Sequence, residues 1–261
     1  RYLEERKSKI KGIIITHGHL DHIGGIPFIM ERIGNPPLHG SYLTTLMIKK
    51  RMEEFPTKPK IDYREIEAGE KITLGNLKIK FFPVTHSIPG ALGASIETPQ
   101  GNIVITGDLK LEHDEGIPSE KELATWTELS KDKNLLLIAD STNVEKPGYS
   151  MPEKIVYDSI EQIIKNTNGR LIIGTFASQF ERMIKIVEIA EKYGKKIILE
   201  GRSMKTNMEI ARISKLYVPK QGTIISSNDI ANYPTDRIVI LATGSQGEEF
   251  AALMRMAVKQ H

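Results

Sequence analysis

Short apolar runs separated by glycine-containing loops dominate residues 1–145 of this chain. Alternation and β-branched content in these runs predict strands over 12–16, 78–82, 94–97, 102–106 and 134–139. Apolar residues at helical spacing predict helices over 22–33, 42–54 and 119–129. Ser119 is a candidate N-cap for the last helix, since Glu122 follows three residues later.

From Pro147-Gly148 onward, strand and helix patterns alternate regularly. The predicted helices cover 152–165, 179–193, 204–216 and 248–257, and the predicted strands cover 171–174, 196–200, 223–225 and 237–242. Such alternation favours a mostly parallel sheet covered by helices. The pattern therefore predicts an α/β protein with two domains, residues 1–147 and 148–261, divided near 146–150.

Composition excludes several classes of protein. The 261 residues suffice for a full core in one large or two modest domains, and the absence of Cys removes disulfides and thiolate metal ligands. The terminus at residues 1–7 lacks the apolar core of a signal peptide, and no apolar run approaches the ~20 residues of a transmembrane helix. We therefore expect a cytoplasmic protein without a membrane partner.

The charge balance is mildly basic, with a net charge of +3 and a sequence pI of about 8.8. This balance permits a nucleic-acid partner without requiring one. The basic clusters Lys49-Lys50-Arg51 and Lys195-Lys196 are short, and each alone is typical of a solvated helix or turn.

Residues 16–22 read Thr-His-Gly-His-Leu-Asp-His and carry the most distinctive chemistry in the chain. Three imidazoles and one carboxylate follow the apolar run Ile13-Ile14-Ile15 directly, and these ligand types suit zinc and similar divalent cations. A solvated polar loop is the alternative, but four potential ligands at this spacing favour a catalytic metal centre. We expect a strand-to-loop transition here, with the next helix opening at Asp21 or His22.

The second half of the chain, from residue 148 onward, carries a different candidate for a binding site. Three of its predicted strands end in loops of small, hydroxyl or cationic residues, at 175–178, 201–203 and 243–247. Ligands of open α/β sheets bind beyond the carboxyl ends of the strands, where helix N-termini offer N–H groups to phosphate. These loops indicate anion binding, and ordinary turn and capping duties remain the alternative.

The spacing in residues 16–22 resembles the metal-binding motif of the metallo-β-lactamase superfamily. Ala139-Asp140-Ser141-Thr142-Asn143, followed by Pro147-Gly148, resembles the segment that opens the beta-CASP insertion of its nucleic-acid-processing members. Segments 85–89, 106–110, 174–178, 200–204 and 242–248 are similar to the ribonuclease J family in particular. The resemblance implies a partial αββα sandwich carrying an inserted beta-CASP α/β domain of mostly parallel sheet.

The resemblance also implies the ligands of two metal ions. His17 and His19 would bind the first ion with His86, while Asp21 and His22 would bind the second, and Asp108 would bridge the two. We assign no metal role to the other three histidines, His39, His113 and His261.

Further site residues follow from the same resemblance. Asp140 would lie near the metals and act with Asp21 and Asp108 in catalysis, although a strand-end cap over Asn143 is the alternative. The candidates for binding RNA phosphate are Thr175, Ser178, Arg202, Ser245 and Gln246. Arg202 is the most discriminating, because a guanidinium can bind phosphate through two hydrogen bonds.

The implied function is hydrolysis of RNA phosphodiesters with two Zn²⁺, or Mn²⁺, per active site. The resemblance implies 5′-to-3′ exonuclease action on 5′-monophosphorylated RNA, possible endonuclease action, roles in RNA decay and rRNA maturation, and a homodimer or larger oligomer. It also implies strands before the first His and a further His motif after His261. We therefore expect an internal piece of a longer protein, which binds the second metal weakly and catalyses poorly.

Three alternative functions remain open from the sequence. A hydrolase of a small thioester or lactone is compatible with the first half, but has no need of the anion-suited loops. A non-catalytic RNA-binding subunit would be expected to have lost metal ligands. Another beta-CASP nuclease, acting on messenger RNA 3′ ends or DNA, is a closer rival.

Overall fold

The computed structural model describes residues 1–56 and 58–259. The chain divides into two compact units, Arg1–Ser150 and Met151–His261, and each is described by itself.

Two sheets form the first unit. The first sheet is parallel and has the order β1-β2-β3, and the second has the order β10-β7-β6-β5-β4. In the second sheet β4 to β7 are antiparallel neighbours, and β10 pairs parallel with β7. The strands are β1 Ile13–Ile14, β2 Leu38–Gly40, β3 Tyr63–Glu65, β4 Lys71–Leu74, β5 Leu77–Pro83, β6 Leu92–Ile96, β7 Asn102–Ile105 and β10 Asn134–Ile138, with a hairpin of β8 His113–Asp114 and β9 Ile117–Pro118.

Helices pack against these sheets around separate apolar clusters. Met30, Leu38 and Ile48 are fully buried in one cluster, and Phe81 is fully buried in another. Ser119 Oγ accepts a hydrogen bond from Glu122 N, which confirms the predicted N-cap. The helices are α1 Leu20–Ile23, α2 Ile26–Ile29, α3 Tyr42–Met52 and α4 Glu120–Ser130, with 3₁₀ turns at Glu4–Lys9 and Glu31–Ile33.

The second unit alternates helices and strands, as the sequence predicts. Its parallel sheet has the order β11-β13-β12, and all five residues of the central strand β13 are buried. The elements are α5 Glu153–Asn166, β11 Leu171–Gly174, α6 Phe180–Lys192, β12 Lys196–Glu200, α7 Arg202–Ile213, β13 Ile238–Ala242 and α8 Ala252–Ala257, with 3₁₀ turns at Ser227–Asn232 and Thr235–Arg237. The predicted α/β class is confirmed.

Several predicted elements are wrong in extent. The helix predicted over 22–33 is three short segments, and Gly24-Gly25 separates the first two of them. The strand predicted over 223–225 is a single bridge between Ile197 and Ile224. The helix predicted from residue 248 begins only at Ala252. Strands β2, β3, β4, β8 and β9 were not predicted.

No helix within the described ranges is both long and apolar enough to cross a membrane.

His39 is buried on β2, and neither of its ring nitrogens has a hydrogen-bond partner among the described residues. Replacing it with leucine is expected to raise the free energy of unfolding by ~1–2 kcal/mol, since a buried N–H no longer goes unpaired. Burial, and then Arg64, lower the pKa of His39, while Asp62 and Glu70 oppose this. Below about pH 6.5 the unfolded chain therefore gains a proton that the folded chain does not, so the advantage of His39→Leu should grow with acidity.

Denaturant unfolding at pH 7 and pH 5 measures this effect, and His113 provides the matched control. His113 Nε2 lies 2.8 Å from Ser150 O, and His113 Nδ1 accepts from Gly116 N at 3.1 Å. His113→Leu should therefore lower the free energy of unfolding by ~1–2 kcal/mol. A loss of stability in His39→Leu as large as in His113→Leu would contradict the unpaired state of His39.

Candidate functional site

Backbone hydrogen bonds fix the chain just before the histidine motif. Ile15 N donates to His39 O on β2, and Leu92 N at the start of β6 donates to Thr16 O, both at 2.9 Å. Gly18 then passes Met47 so closely that a Cβ would lie 2.5 Å from its Sδ. The motif is therefore held between the two sheets of the first unit, and Met47 would have to shift to admit any larger residue at position 18.

Four side chains converge as the first of two ligand clusters: His17, His19, His86 and Asp108. His19 Nδ1 lies 3.1 Å from both His17 Nε2 and His86 Nε2. Asp108 Oδ2 lies 3.8 Å from His17 Nε2 and 3.9 Å from His86 Nε2. The structure thus brings together four of the predicted ligands from three separate loops.

These distances fit a tetrahedral zinc ion. Ligand atoms about 2.0–2.1 Å from one zinc ion are about 3.3 Å from each other in a tetrahedron. The observed separations of 3.1 to 3.9 Å bracket that value. Three imidazole nitrogens and one carboxylate oxygen form a donor set that zinc accepts. The first cluster therefore has the donor set and the close spacing that a zinc site requires.

A second cluster contains Asp21, His22 and the same Asp108. His22 Nε2 lies 3.3 Å from Asp108 Oδ1 and 3.5 Å from Asp21 Oδ2. Asp108 therefore directs one carboxylate oxygen towards each cluster. This cluster is more open to solvent, since the Asp21 side chain is 77% exposed, whereas that of His17 is 1% exposed.

Local structure explains how His19 and His22 diverge towards different clusters. α1 begins at Leu20 with His19 as its N-cap, so the prediction that Asp21 or His22 opens the helix was wrong by one or two residues. His19 has an extended backbone, and His22 N donates to His19 O at 3.0 Å. One helical turn thus separates the two ligands.

The protonation states favour cation binding. Burial, and after it the neighbouring imidazoles with His22 first, together lower the pKa of His17 to about 3. Burial also lowers the pKa of His86, with His19 adding to the effect. Both imidazoles are therefore neutral at physiological pH, which is the form that binds a metal.

Asp140 holds the loop that carries Asp108. Its Oδ2 accepts from Leu109 N at 3.2 Å, and its Oδ1 accepts from Thr142 N at 2.8 Å. Burial alone would raise the pKa of Asp140, but these hydrogen bonds and His86 outweigh it and keep that pKa below its usual value. The local cap predicted over Asn143 forms at Thr142 instead, and the carboxylate also reaches across to the Asp108 loop.

The three predicted phosphate loops lie along one edge of the sheet in the second unit. Gly174 and Glu200, at the carboxyl ends of β11 and β12, both pair with Ala242 at the end of β13. The following residues, which include Thr175, Arg202 and Ser245, therefore leave the sheet at the same edge.

The three loops differ in which of their candidate phosphate-binding side chains are exposed to solvent. Arg202 is exposed at the first position of α7, and Ser178 is exposed in its loop, whereas Thr175 is buried. Ser245 and Gln246 are also exposed, but Gln246 N donates to Glu248 Oε2 at 3.1 Å. Since α8 begins six residues after Gln246, the third loop does not lead directly into a helix N-terminus, contrary to prediction.

Two threonines take part in the site although the sequence reasoning gave them no role. Thr16 Oγ1 lies 3.1 Å from His17 Nδ1. Thr106 Oγ1 donates to Gly107 O at 2.6 Å and accepts from Asp140 N at 3.2 Å. Each threonine comes shortly before a metal-ligand candidate in the chain, and this position is the only feature of the sequence that could have indicated its role.

Comparison with known protein families identifies the class. Residues 1–151 match the metallo-β-lactamase superfamily, and residues 168–261 match the beta-CASP domain of ribonuclease J. The chain belongs to the metallo-β-lactamase superfamily.

Two individual relatives show which members of the superfamily this chain is similar to. Ribonuclease J 2 of Staphylococcus epidermidis is 36% identical over 100% of this chain and 47% of its own length. Ribonuclease J of Mycoplasma genitalium is 38% identical over 100% of this chain and 46% of its own length. These matches confirm the resemblance to ribonuclease J, and the chain spans about half the length of the curated relatives it matches.

A solved structure supports the fold alone. A protein of unknown function from Enterococcus faecalis V583 aligns with a TM-score of 0.63 and 19% identity, covering 88% of this chain and 58% of that chain.

Proposed function

We propose that this chain carries the metal centre of a ribonuclease that hydrolyses RNA phosphodiester bonds. The observation that carries the proposal is the pair of ligand clusters joined by Asp108, within a chain similar to ribonuclease J over its whole length. Paired divalent cations suit displacement at phosphorus, because they lower the pKa of a water molecule and neutralise charge on the attacking and leaving oxygens.

The proposed role of each ligand follows from its place in the clusters. His17, His19 and His86 would hold the first cation, with Zn²⁺ as the proposed ion and Mn²⁺ as a substitute. Asp21 and His22 would hold the second cation. We expect weaker binding there, because that cluster offers three ligands and one of them is largely exposed.

Two carboxylates, Asp108 and Asp140, would hold the reaction centre in a fixed geometry. Asp108 would keep both clusters at a fixed separation, since its two oxygens face different clusters. Asp140 would hold the Asp108 loop through the Leu109 amide, and its lowered pKa keeps it negative at neutral pH. Catalytic geometry of this kind requires little reorganisation during the reaction.

The edge loops of the second unit would bind the RNA backbone. Arg202 is the main candidate, because it is an exposed guanidinium at the start of a twelve-residue helix. Ser178, Ser245 and Gln246 would contribute exposed polar groups, whereas Thr175 would act through its loop because it is buried. A free 5′-monophosphate is the proposed determinant of binding, since its extra charge favours a cationic site.

The finer aspects of the proposal concern the whole protein. We propose 5′-to-3′ exonuclease action with possible endonuclease action, in RNA decay and rRNA maturation in the cytoplasm. We also propose that the full-length protein forms a homodimer or larger oligomer. The names of the relatives, Ribonuclease J and Ribonuclease J 2, support the ribonuclease class.

An RNA labelled at a 5′-monophosphate, incubated with zinc or manganese, tests the proposal. We expect labelled mononucleotide from the earliest time points, slower release from a 5′-hydroxyl RNA, and no release with EDTA. Longer labelled fragments appearing first would assign endonuclease action instead. Intact RNA together with hydrolysis of a thioester would overturn the proposal and favour a small-molecule hydrolase.

A further inference from the structure

Thr16 contacts His17, which is a metal-ligand candidate, and also the loop that carries a second candidate, Asp108. Its Oγ1 lies 3.1 Å from His17 Nδ1, while His17 Nε2 faces the first cluster. With Nε2 free to bind a cation, the proton of the neutral ring resides on Nδ1, so Nδ1–H donates to the threonine hydroxyl. Histidine ligands are commonly oriented by such a hydrogen bond on the opposite nitrogen.

The same side chain packs against the Asp108 loop. Gly107 has a φ of +64°, and a Cβ built there would lie 2.8 Å from both Cβ and Oγ1 of Thr16. The loop therefore approaches Thr16 as closely as a glycine permits. Thr16 is itself held in place, because its carbonyl oxygen accepts from Leu92 N.

We infer that Thr16 is a positioning residue for the first cluster, holding His17 by its hydroxyl and the Asp108 loop by contact with Gly107. One side chain thereby keeps together two ligands that arise 91 positions apart, at 17 and 108. This inference rests on the proposed metal centre. It does not depend on the identity of the substrate.

Zinc affinity in hydroxyl-deleting and hydroxyl-retaining variants tests the inference. Thr16→Val keeps the shape but removes the acceptor, and we expect a zinc Kd about 10–100-fold weaker, the usual effect of losing a ligand's supporting partner. Thr16→Ser retains the hydroxyl and should bind zinc within about threefold of the unaltered chain. Calorimetric titration measures the affinity, and circular dichroism confirms folding, with Thr16→Ala replacing Thr16→Val if the latter does not fold.

Thr98→Val is the matched control. Thr98 Oγ1 donates to Gly101 O at 2.6 Å and accepts from Gln100 N at 3.3 Å, in the turn between β6 and β7. Its loss should reduce stability and leave zinc affinity unchanged.

The outcomes separate the inference from the proposed function. Equal zinc affinity in Thr16→Val and the unaltered chain would overturn the inference, as would equal weakening in Thr16→Ser and Thr16→Val. Absence of zinc binding by the unaltered chain would overturn the inference and the metal centre together. A chain that shows the expected affinity pattern but leaves RNA intact would support the inference and count against the ribonuclease proposal alone.

Discussion

Replacing Asp108 with asparagine is expected to reduce RNA cleavage by more than about 100-fold. Losing a residue that only supports a metal ligand typically costs about 10–100-fold, and we expect the loss of a ligand itself to cost more. Asp108 is the one residue shared by both ligand clusters among the described residues, with Oδ1 near His22 and Oδ2 near His17. An amide carries no charge and directs an NH₂ group, which cannot bind a cation, towards one of the two clusters. Initial rates on 5′-labelled RNA, with zinc titrated in parallel, measure the effect.

Asp132→Asn is the control for Asp108→Asn. Asp132 is exposed just after α4, so the same change in charge should leave cleavage and zinc binding within about twofold. Cleavage by Asp108→Asn at the rate of Asp132→Asn would show that the reaction does not use the shared carboxylate.

Gly107→Ala is expected to lower both the free energy of unfolding and zinc affinity. The added methyl group would sit 2.8 Å from Thr16, and the φ of +64° is strained for any residue with a Cβ. Left-handed strain costs ~1–2 kcal/mol and overpacking adds ~1–3 kcal/mol, so we expect a total loss of about 2–5 kcal/mol. Because the loop must move away from Thr16, Asp108 should be displaced as well. Denaturant unfolding and zinc titration measure the two effects.

Gly69→Ala separates backbone strain from the contact with Thr16. Gly69 has a φ of +89°, but a Cβ there meets no atom of the described residues within 4 Å. It should lose only the ~1–2 kcal/mol of left-handed strain and keep its zinc affinity. Equal stability and equal zinc affinity in the two variants would refute the proposed contact between Gly107 and Thr16.

The first cluster shows why part of the site could be predicted from the sequence. His17 and His19 are close in the chain, and their spacing after an apolar strand is informative by itself. His86 and Asp108 are distant, and only the resemblance to a known family indicated that they join the cluster. The structure brings them together because the loops after β5 and β7 meet, with Lys110 N donating to Thr85 O at 2.8 Å.

The second unit was more predictable than the first. The strands over 171–174 and 196–200 were predicted residue for residue, because each is a short apolar run bounded by glycine-containing turns. Strands β2 and β3 have three residues each, too few for any period to appear. The apolar run of β10 predicted a strand correctly, yet all five of its residues are exposed, since the pattern records apolarity and not packing.

The role of Thr16 could not be predicted for a different reason. A hydroxyl next to a histidine is common in sequences, and its distance from Nδ1 depends on the rotamer of both side chains. The contact with Gly107 depends further on tertiary structure, because Leu92 at the start of β6 bonds to Thr16, and β6 pairs with β7, which ends two residues before Gly107. The role of a supporting residue thus depends on tertiary contacts, whereas the role of ligands in a compact motif can be predicted from their spacing in the sequence.

The central claim is that the first cluster holds a divalent cation. A crystal of the chain grown with zinc, with anomalous scattering recorded at the zinc edge, tests it most directly. We predict a peak about 2.0–2.2 Å from His17 Nε2, His19 Nδ1, His86 Nε2 and Asp108 Oδ2. Zinc bound only elsewhere, or no anomalous peak among these four atoms, would contradict the claim.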